Sequence, residues 1–300
     1  MMTAYLECLQ KERITAQQNV SLKNLCSFQI GGNARILVSP DTTEALCRAV
    51  TLAVELGIRF VVIGNGTNLL FADEGFDGAI IRTSHLKGLK VIGSTISAEC
   101  GVTLTKLSNT AQEYSLTGLE FAHGIPGNCG GSIFMNAGAF GHEICEILES
   151  CTYFDVRQNR RFTVKSSQLQ FSYRHSEFME NPHRIILSAS FRLQPGDMVQ
   201  ISTQMAANLQ ARRERQPQGA PNAGSFFKRP KLAPAGKLID DCGLKGVHVG
   251  DAAVSTKHAG FIVNTGNATA QDVLTLMQYI QTTVYETYQV QLEPEVRYII

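Results

Sequence analysis

The sequence predicts an α+β fold, with strands and helices mixed in both parts of a chain of 300 residues. Two observations support this class. A strand–helix–strand unit occupies residues 34–63, and an amphipathic helix precedes an alternating C-terminal strand. Because 44% of the residues are hydrophobic in a chain of this length, two domains are expected rather than one.

The first part of the chain is expected to alternate between strands and helices. Residues 41–44 read Asp-Thr-Thr-Glu, a capping-box pattern, and apolar residues then recur at helical spacing as far as Gly57. A second helix is expected around residues 103–114. The expected strands lie at residues 34–38, 60–63, 79–82 and 94–99.

The following part is expected to hold an antiparallel or mixed sheet. Its strands are predicted at residues 151–156, 161–164 and 185–193, and Gln194-Pro-Gly196 is predicted to be a turn at a domain boundary. A charged helix at residues 198–215 leads to a loop at 216–223.

A short strand is then expected at residues 260–263, before the last helix. That helix has one apolar face, formed by Val273, Leu276, Met277, Ile280 and Val284. In the final strand, alternation places Val290, Leu292, Val296 and Tyr298 on one side. The other side carries Glu293, Glu295 and Arg297, and periodicity does not choose between the two glutamates as a functional carboxylate.

The composition excludes several classes of protein. With 27 basic and 26 acidic residues, the formal charge is +1, so neither nucleic acid nor an anionic membrane is expected as a partner. No apolar run has the length of a membrane span, and the first residues do not resemble a signal peptide, so a cytoplasmic protein is expected. The eight cysteines lack a C-x-x-C pair, which predicts neither disulfides nor a metal site.

Two glycine-rich segments indicate a nucleotide cofactor. Residues 123–141 read HGIPGNCGGSIFMNAGAFG, six of them glycine, and residues 64–70 read GNGTNLL after a buried strand. Such segments expose backbone N–H groups that bind phosphate, although tight turns between packed sheets would also use glycine. The second segment lacks the third glycine of the dinucleotide fingerprint. Cys129 and His123 are interpreted as structural.

Two further segments carry residues suited to catalysis. FSYRHS, at residues 171–176, contains Arg174, whose planar cation is suited to a carboxylate or an enolate. NAGSFFKRP, at 222–230, sets Ser225 before an apolar pair and Lys228. Because no G-x-S-x-G elbow is present, an acyl-transfer nucleophile is disfavoured.

Taken together and in this order, these segments resemble the UDP-N-acetylenolpyruvoylglucosamine reductases, the FAD enzymes of peptidoglycan precursor synthesis. The likeness runs from about residue 24 to Arg297. Its motifs are VIGNGTNLL, GIPGNCGGSIFMNAGAFG, FSYRHS, NAGSFFKRP, AGKLID, VSTKHAGFIVN and LEPEVRYI. The resemblance is to the shorter form of the family, without the loop that carries an extra substrate-gating tyrosine.

The resemblance implies a fold and a division into domains. An FAD-binding domain of the vanillyl-alcohol-oxidase type, in two α+β subdomains, is expected over residues 1–195, with its core at about 30–195. A smaller α+β substrate-binding domain is expected over residues 196–300, its C-terminal strand returning to the active site.

The resemblance also implies roles for individual residues. Arg174, Ser225 and Glu295 fall on the catalytic positions, with Ser225 as the proton donor. Substrate contacts are expected at Tyr173, Lys228 and Asn264. Cofactor contacts are expected at Gly64, Asn65, Gly66, Thr67, Asn68, Leu69, Gly124, Gly127, Gly131, Ala137, Gly138, Gln216 and Arg297.

The expected reaction is therefore an NADPH-dependent, FAD-mediated reduction of the enolpyruvyl ether of a UDP-sugar to UDP-N-acetylmuramate. No obligate protein partner is expected. Two alternatives remain open at this point. One is another FAD-dependent oxidase or dehydrogenase of the same fold, and the other is a non-catalytic nucleotide-sugar-binding protein.

Overall fold

A computed structural model describes all residues from Met1 to Ile300. The helices are α1 (Met2–Lys11), α2 (Thr43–Glu55), α3 (Leu104–Glu113), α4 (Cys129–Phe134), α5 (Met198–Arg215), α6 (Ala235–Asp241) and α7 (Ala270–Tyr288). None of these helices is long and apolar enough to span a lipid bilayer.

Twenty strands, many of them very short, complete the regular structure. They are β1 (Ala16–Ser21), β2 (Asn33–Val38), β3 (Phe60–Ile63), β4 (Leu69–Phe71), β5 (Phe76–Arg82), β6 (Leu89–Ile92), β7 (Thr95–Glu99), β8 (Leu116–Thr117), β9 (Gly138–Ala139), β10 (His142–Glu143), β11 (Leu148–Asp155), β12 (Arg160–Lys165), β13 (Phe171–Ser172), β14 (His175–Ser176), β15 (Arg184–Arg192), β16 (Gln194–Pro195), β17 (His248–Val249), β18 (Ala252–Val254), β19 (Ile262–Asn264) and β20 (Arg297–Ile299).

The chain divides into two units, each built from more than one segment. The first unit contains Met1–Gln18, Ile36–Asn65 and Gly78–Ala211, and the second contains Asn19–Arg35, Gly66–Asp77 and Arg212–Ile300. The domain limits expected from the sequence stay a prediction.

Two sheets organise the first unit. Most of a four-stranded sheet in the order β1-β2-β5-β3 belongs to it. Strand β3 runs parallel to β5, and α2 connects β2 to β3. The second sheet is antiparallel, in the order β12-β11-β15-β7-β6. The short helix α4 packs against β15 and buries Cys129 and Ile133. This packing places the glycine-rich segment on a rigid support.

Helix α2 shows how local sequence sets an element of this unit. Its apolar face buries Leu46, Ala49, Val50 and Ala53, as the helical spacing predicts. The N-cap is Thr42, whose Oγ1 accepts a hydrogen bond from the N–H of Ala45 at 3.0 Å. The N-cap is therefore one residue later than the expected Asp41, and the expected capping box does not form, because Ala45 at the third helical position has no side chain that could close it.

Replacing Thr42 by alanine is expected to lower the free energy of unfolding by about 1 kcal/mol, because one N–H at the start of α2 loses its acceptor. Urea unfolding measures the change. Thr43→Ala is the matched control, since the Thr43 hydroxyl bonds only the exposed carboxylate of Glu44. Equal losses in both variants would contradict the assignment of the cap.

The second unit contains the antiparallel sheet β17-β18-β19, with α6 and α7 packed together and α7 lying against β17 and β18. Helix α7 starts with a capping box between Thr269 and Asp272. It buries four of the five apolar residues expected on its face, Met277 being half-buried. Strand β20 runs parallel to β4, pairing Arg297 with Leu69.

Three local expectations were wrong. Residues 290–296 form no continuous strand: Pro294 makes only an isolated bridge with Phe227 and has no N–H to extend a ladder, and Tyr298 is exposed. Residues 194–195 form β16 against β8 rather than a turn. The strand expected at 260–263 instead occupies Ile262–Asn264.

Candidate active site

The glycine segment at residues 123–141 is not a plain loop, because i→i−4 hydrogen bonds close α4 within it. A β carbon at Gly130 would lie 2.8 Å from Cβ of Cys100, so glycine is needed there for packing. At Gly131 a β carbon would meet nothing within 4 Å. The backbone N–H groups of Gly124, Gly127 and Gly131 make no hydrogen bond within the chain. They remain available to an anionic ligand.

Within the same unit, Gly64 follows β3 and faces the glycine segment. A β carbon at Gly64 would lie 2.6 Å from Oδ1 of Asn128. That buried oxygen accepts no hydrogen bond, whereas Nδ2 of the same side chain donates to Gly101 O at 2.7 Å. A buried acceptor without a donor is costly in a folded protein. A ligand with an N–H or O–H group fits this position.

Asn128 is a candidate site residue that the sequence analysis missed. It is also the N-cap residue at the start of α4, where its side chain makes no capping hydrogen bond. Its position inside the glycine segment was the only signal in the sequence, since asparagine is common in ordinary turns.

In the second unit, Gly66 occupies a position that only glycine fits. Its φ is +65°, and a β carbon would lie 2.1 Å from the carbonyl oxygen of Leu25. The N–H groups of Gly66 and Thr67 make no hydrogen bond within the chain, which resembles a phosphate-binding turn.

Asn68 connects this turn to the C-terminal segment. Its Nδ2 donates to the carbonyl oxygen of Glu295 at 3.0 Å, and its own carbonyl accepts from the N–H of Arg297 at 3.0 Å. Leu69 follows in β4 and pairs with Arg297. A residue expected to hold the cofactor thus also fixes the backbone around the expected catalytic glutamate.

Arg174 lies in the first unit, in the two-residue turn between β13 and β14. Its φ of +54° is uncommon for a residue with a side chain, and such conformations concentrate at functional sites. Its Nη2 donates to Gly138 O at 2.9 Å, and its guanidinium lies 5.0 Å from the ring centre of Tyr173. The structure therefore brings these three predicted residues together.

Two hydrogen bonds attach this turn to the glycine segment. Nδ2 of the buried Asn136 donates to Ser172 O at 3.0 Å, and Oγ of Ser176 donates to Phe134 O at 2.7 Å. The position of Arg174 thus depends on the same segment that presents the free N–H groups.

Ser225 lies in the second unit, at the end of a short constrained approach. Oδ1 of Asn222 accepts from the N–H of Gly224 at 3.0 Å, which closes an Asx turn, and Gly224 has a φ of +83°. Ser225 is exposed, and its hydroxyl makes no hydrogen bond within the chain. The hydroxyl can therefore serve a ligand.

Phe226 joins Ser225 to Glu295. The N–H of Phe226 donates to Gly260 O at 2.8 Å, and its carbonyl accepts from the N–H of Glu295 at 2.8 Å. Phe226 and Phe227 are buried and pack edge to face, with ring centres 5.3 Å apart. Two of the three predicted catalytic residues are thus held on neighbouring backbone in the same unit.

The two glutamates of the C-terminal segment differ in environment. The Glu293 carboxylate is exposed and forms an ion pair with Nζ of Lys228, whose N–H also donates to Glu293 O at 2.9 Å. Glu295 is half-buried. The two glutamates therefore differ in their tertiary contacts, which the periodicity of the sequence does not show.

The remaining predicted contacts differ in how accessible they are. Gln216 is half-buried just after α5, and Ala137 lies beside Gly138 after α4. Asn264 is buried, and its carboxamide donates to Phe28 O at 3.3 Å and accepts from Gly266 N and Ala268 N, both at 3.0 Å. Asn264 therefore supports this turn, and its expected role as a substrate contact stays a prediction.

Cys129 and His123 have surroundings that agree with a structural interpretation. Burial raises the pKa of the Cys129 thiol well above its ordinary value, so the reactive thiolate is disfavoured. Burial also lowers the pKa of His123, and its Nδ1 has no hydrogen-bond partner within the chain.

Models of two domain families match the chain. The FAD binding domain matches residues 34–158, and the UDP-N-acetylenolpyruvoylglucosamine reductase, C-terminal domain, matches residues 216–299. The first match covers α4 and the turn at Gly64, and the second covers Ser225 and Glu295.

Full-length relatives give the same result. UDP-N-acetylenolpyruvoylglucosamine reductases from Caldicellulosiruptor saccharolyticus and Clostridium novyi are 45% and 42% identical, over 97% of this chain and 94% of each relative. The crystal structure of the reductase from Thermus caldophilus matches with a TM-score of 0.82 and 33% identity, covering 96% of this chain and 99% of that one.

These matches confirm the α+β fold class and the resemblance drawn from the motifs. The chain therefore belongs to the UDP-N-acetylenolpyruvoylglucosamine reductases, the FAD-dependent UDP-N-acetylmuramate dehydrogenases of peptidoglycan precursor synthesis.

Proposed function

We propose that this protein uses NADPH to reduce the enolpyruvyl ether of UDP-N-acetylglucosamine, with Arg174, Ser225 and Glu295 as its catalytic residues. The observation that carries the assignment is the hydrogen bond from the N–H of Glu295 to the carbonyl of Phe226, which holds the glutamate's backbone against the residue that follows Ser225.

The residues present fit FAD. The unpaired N–H groups of Asn65, Gly66 and Thr67 are suited to the diphosphate, as are those of Gly124, Gly127 and Gly131. The unpaired Oδ1 of Asn128 is suited to a donor on the cofactor. When bound there, FAD would supply the hydride transfer from NADPH to the enolpyruvyl carbon. We also propose Gln216 and Arg297 as cofactor contacts.

Arg174 has an electrostatic task in this reaction. Hydride addition to the enolpyruvyl group develops negative charge on the unit that bears the carboxylate. The guanidinium of Arg174 stays charged at every relevant pH and is held by Gly138 and Tyr173, so it stabilises that charge without reorganising. Glu295 is proposed to help stabilise the same developing charge.

Ser225 supplies the proton that completes the lactyl ether. Its O–H bond breaks as a C–H bond forms at the carbon next to the carboxylate, and the proton is later restored from solvent or a neighbouring group. Because its hydroxyl bonds nothing in the chain, no internal hydrogen bond has to be broken first.

Lys228 is proposed to bind the substrate diphosphate, with Tyr173 as a further substrate contact. Its ammonium is paired with the exposed carboxylate of Glu293, so the diphosphate would exchange with that carboxylate. We propose a cytoplasmic location, where the NADPH and the UDP-sugar are made and free thiols persist.

The function is tested with the purified, flavin-loaded protein. We expect a flavin absorption spectrum, bleaching by NADPH without oxygen, and recovery of the absorption when the enolpyruvyl UDP-sugar is added. Recovery only on admission of oxygen would contradict the proposal and support an oxidase. UDP-N-acetylglucosamine without the enolpyruvyl group is the control substrate.

A further inference from the structure

The motifs AGKLID and VSTKHAGFIVN meet at one histidine, His258. Its backbone is fixed by a turn: Oγ of Ser255 accepts from the N–H of His258 at 3.3 Å, and the carbonyl of His258 accepts from the N–H of Phe261 at 3.0 Å. The imidazole turns back on this loop, where Nδ1 accepts from the N–H of Gly260 at 3.1 Å. An acceptor at Nδ1 requires the neutral ring with its proton on Nε2.

The ring is clamped from two sides. The ring of Phe261 packs edge to face against it, with centres 5.0 Å apart. On the other side, a β carbon at Gly236 of α6 would lie 2.9 Å from Cε1 of His258, so glycine allows the helix to approach the imidazole. This contact gives the glycine of AGKLID a physical role.

The carbonyl of Gly260 links the backbone held by His258 to the proposed catalytic groups. It accepts from the N–H of Phe226 at 2.8 Å, and the carbonyl of Phe226 accepts from the N–H of Glu295 at 2.8 Å. Ser225 directly precedes Phe226. Successive hydrogen bonds therefore connect the imidazole, through Gly260 and Phe226, to the backbone of Glu295 and to the residue that follows Ser225.

We propose that His258 is a positioning residue, whose neutral Nδ1 holds Gly260 and, through Phe226, aligns Ser225 and Glu295 for protonation of the substrate. The proposal rests on the function proposed for Ser225. It assigns to His258 a role in the second half-reaction only, without contact to substrate or cofactor.

The charge on His258 then controls this alignment. Burial of the ring lowers the pKa of His258, and the charge of Lys245 acts in the same direction. A hydrogen bond with its own backbone and the charge of Asp240 oppose this shift. Lys245 and Asp240 are paired with each other at 2.7 Å, and the neighbouring Lys257 bonds Arg213 O. Because the pKa is lowered, the neutral form persists through pH 7, and alignment is lost only as the pH falls below the ordinary value of about 6.5.

The test compares three variants of the flavin-loaded enzyme by stopped flow. His258→Ala is expected to slow reoxidation by the enolpyruvyl UDP-sugar by about 10–100-fold, since small misplacements of reacting groups are costly. Reduction by NADPH should change by less than about twofold, because the proposed proton donor takes no part in it. His258→Asn retains an acceptor near Nδ1 and is expected to recover most of the rate without its acidic decline. Ser225→Ala is the reference.

The outcomes separate the two proposals. If Ser225→Ala slows reoxidation but His258→Ala does not, the positioning role is wrong and the proposed function stands. If Ser225→Ala leaves reoxidation fast, another group donates the proton, and both the role proposed for Ser225 and the positioning role that rests on it are wrong. Equal slowing of both half-reactions in His258→Ala would show a general structural role and overturn the inference. Nitrogen NMR of the wild-type imidazole gives an independent test, since a protonated Nδ1 at pH 7 would also overturn it.

Discussion

Replacing Ser225 by alanine is expected to slow flavin reoxidation by the enolpyruvyl UDP-sugar by about 10²–10⁴-fold, the usual contribution of a positioned general acid. Reduction of the flavin by NADPH is expected to remain at the wild-type rate, because no proton from Ser225 is needed in that step. Single-turnover stopped-flow measurements of each half-reaction separate the two effects.

The surroundings of Ser225 make this result easy to interpret. Its hydroxyl bonds nothing within the chain, so the substitution should leave the unfolding temperature unchanged. Ser202→Ala, at an exposed position of α5, is the matched control and should change neither half-reaction. If reoxidation by the sugar nucleotide stays fast in Ser225→Ala, another group donates the proton.

Gly66→Ala is expected to abolish the retention of FAD and to destabilise the second unit. The β carbon would meet the backbone carbonyl of Leu25 at 2.1 Å, and backbone atoms cannot move aside as a flexible side chain would. A positive φ costs a residue with a side chain about 1–2 kcal/mol, and overpacking adds about 1–3 kcal/mol. The displaced turn would also carry its free N–H groups away from their phosphate-binding geometry.

Gly57→Ala is the matched control for this variant. Gly57 has a similar φ of +63°, but a β carbon there would meet nothing within 4 Å. In the control variant, therefore, only the positive φ lowers the stability, without any steric clash. The ratio of flavin to protein absorbance and the thermal unfolding of both variants give the comparison. Full retention of FAD by Gly66→Ala would show that the turn at Gly66 does not hold the cofactor.

The strand expected in the C-terminal segment shows a case in which alternating polarity did not predict the structure. Alternation at residues 290–298 suggested one strand with two faces, yet only Arg297–Ile299 form β20. Pro294 interrupts the pairing because it has no N–H. The contrast between Glu293 and Glu295 arises from their partners, Lys228 for one and Phe226 for the other.

Sequence reasoning about the candidate site is strongest where only one residue type suits the local geometry. The positive φ of Gly66 and Gly224 follows from local chain geometry that only glycine adopts without strain. By contrast, Asn264 is a polar residue after an apolar strand, and such a residue suits a ligand or a turn equally well. Its three hydrogen bonds within the chain show that it supports the turn, and no pattern in the sequence indicates them.

The sequence by itself determined the α+β class, the helices α2, α3, α5 and α7, several of the longer strands, and the family. These features depend on local propensity and on motifs in a fixed order. Tertiary structure alone decided which groups support one another. Asn68 and Glu295 are 227 residues apart yet share a hydrogen bond, and His258 reaches Ser225 only through Gly260 and Phe226. Such pairings depend on how distant segments fold together, and no periodicity along the chain encodes them.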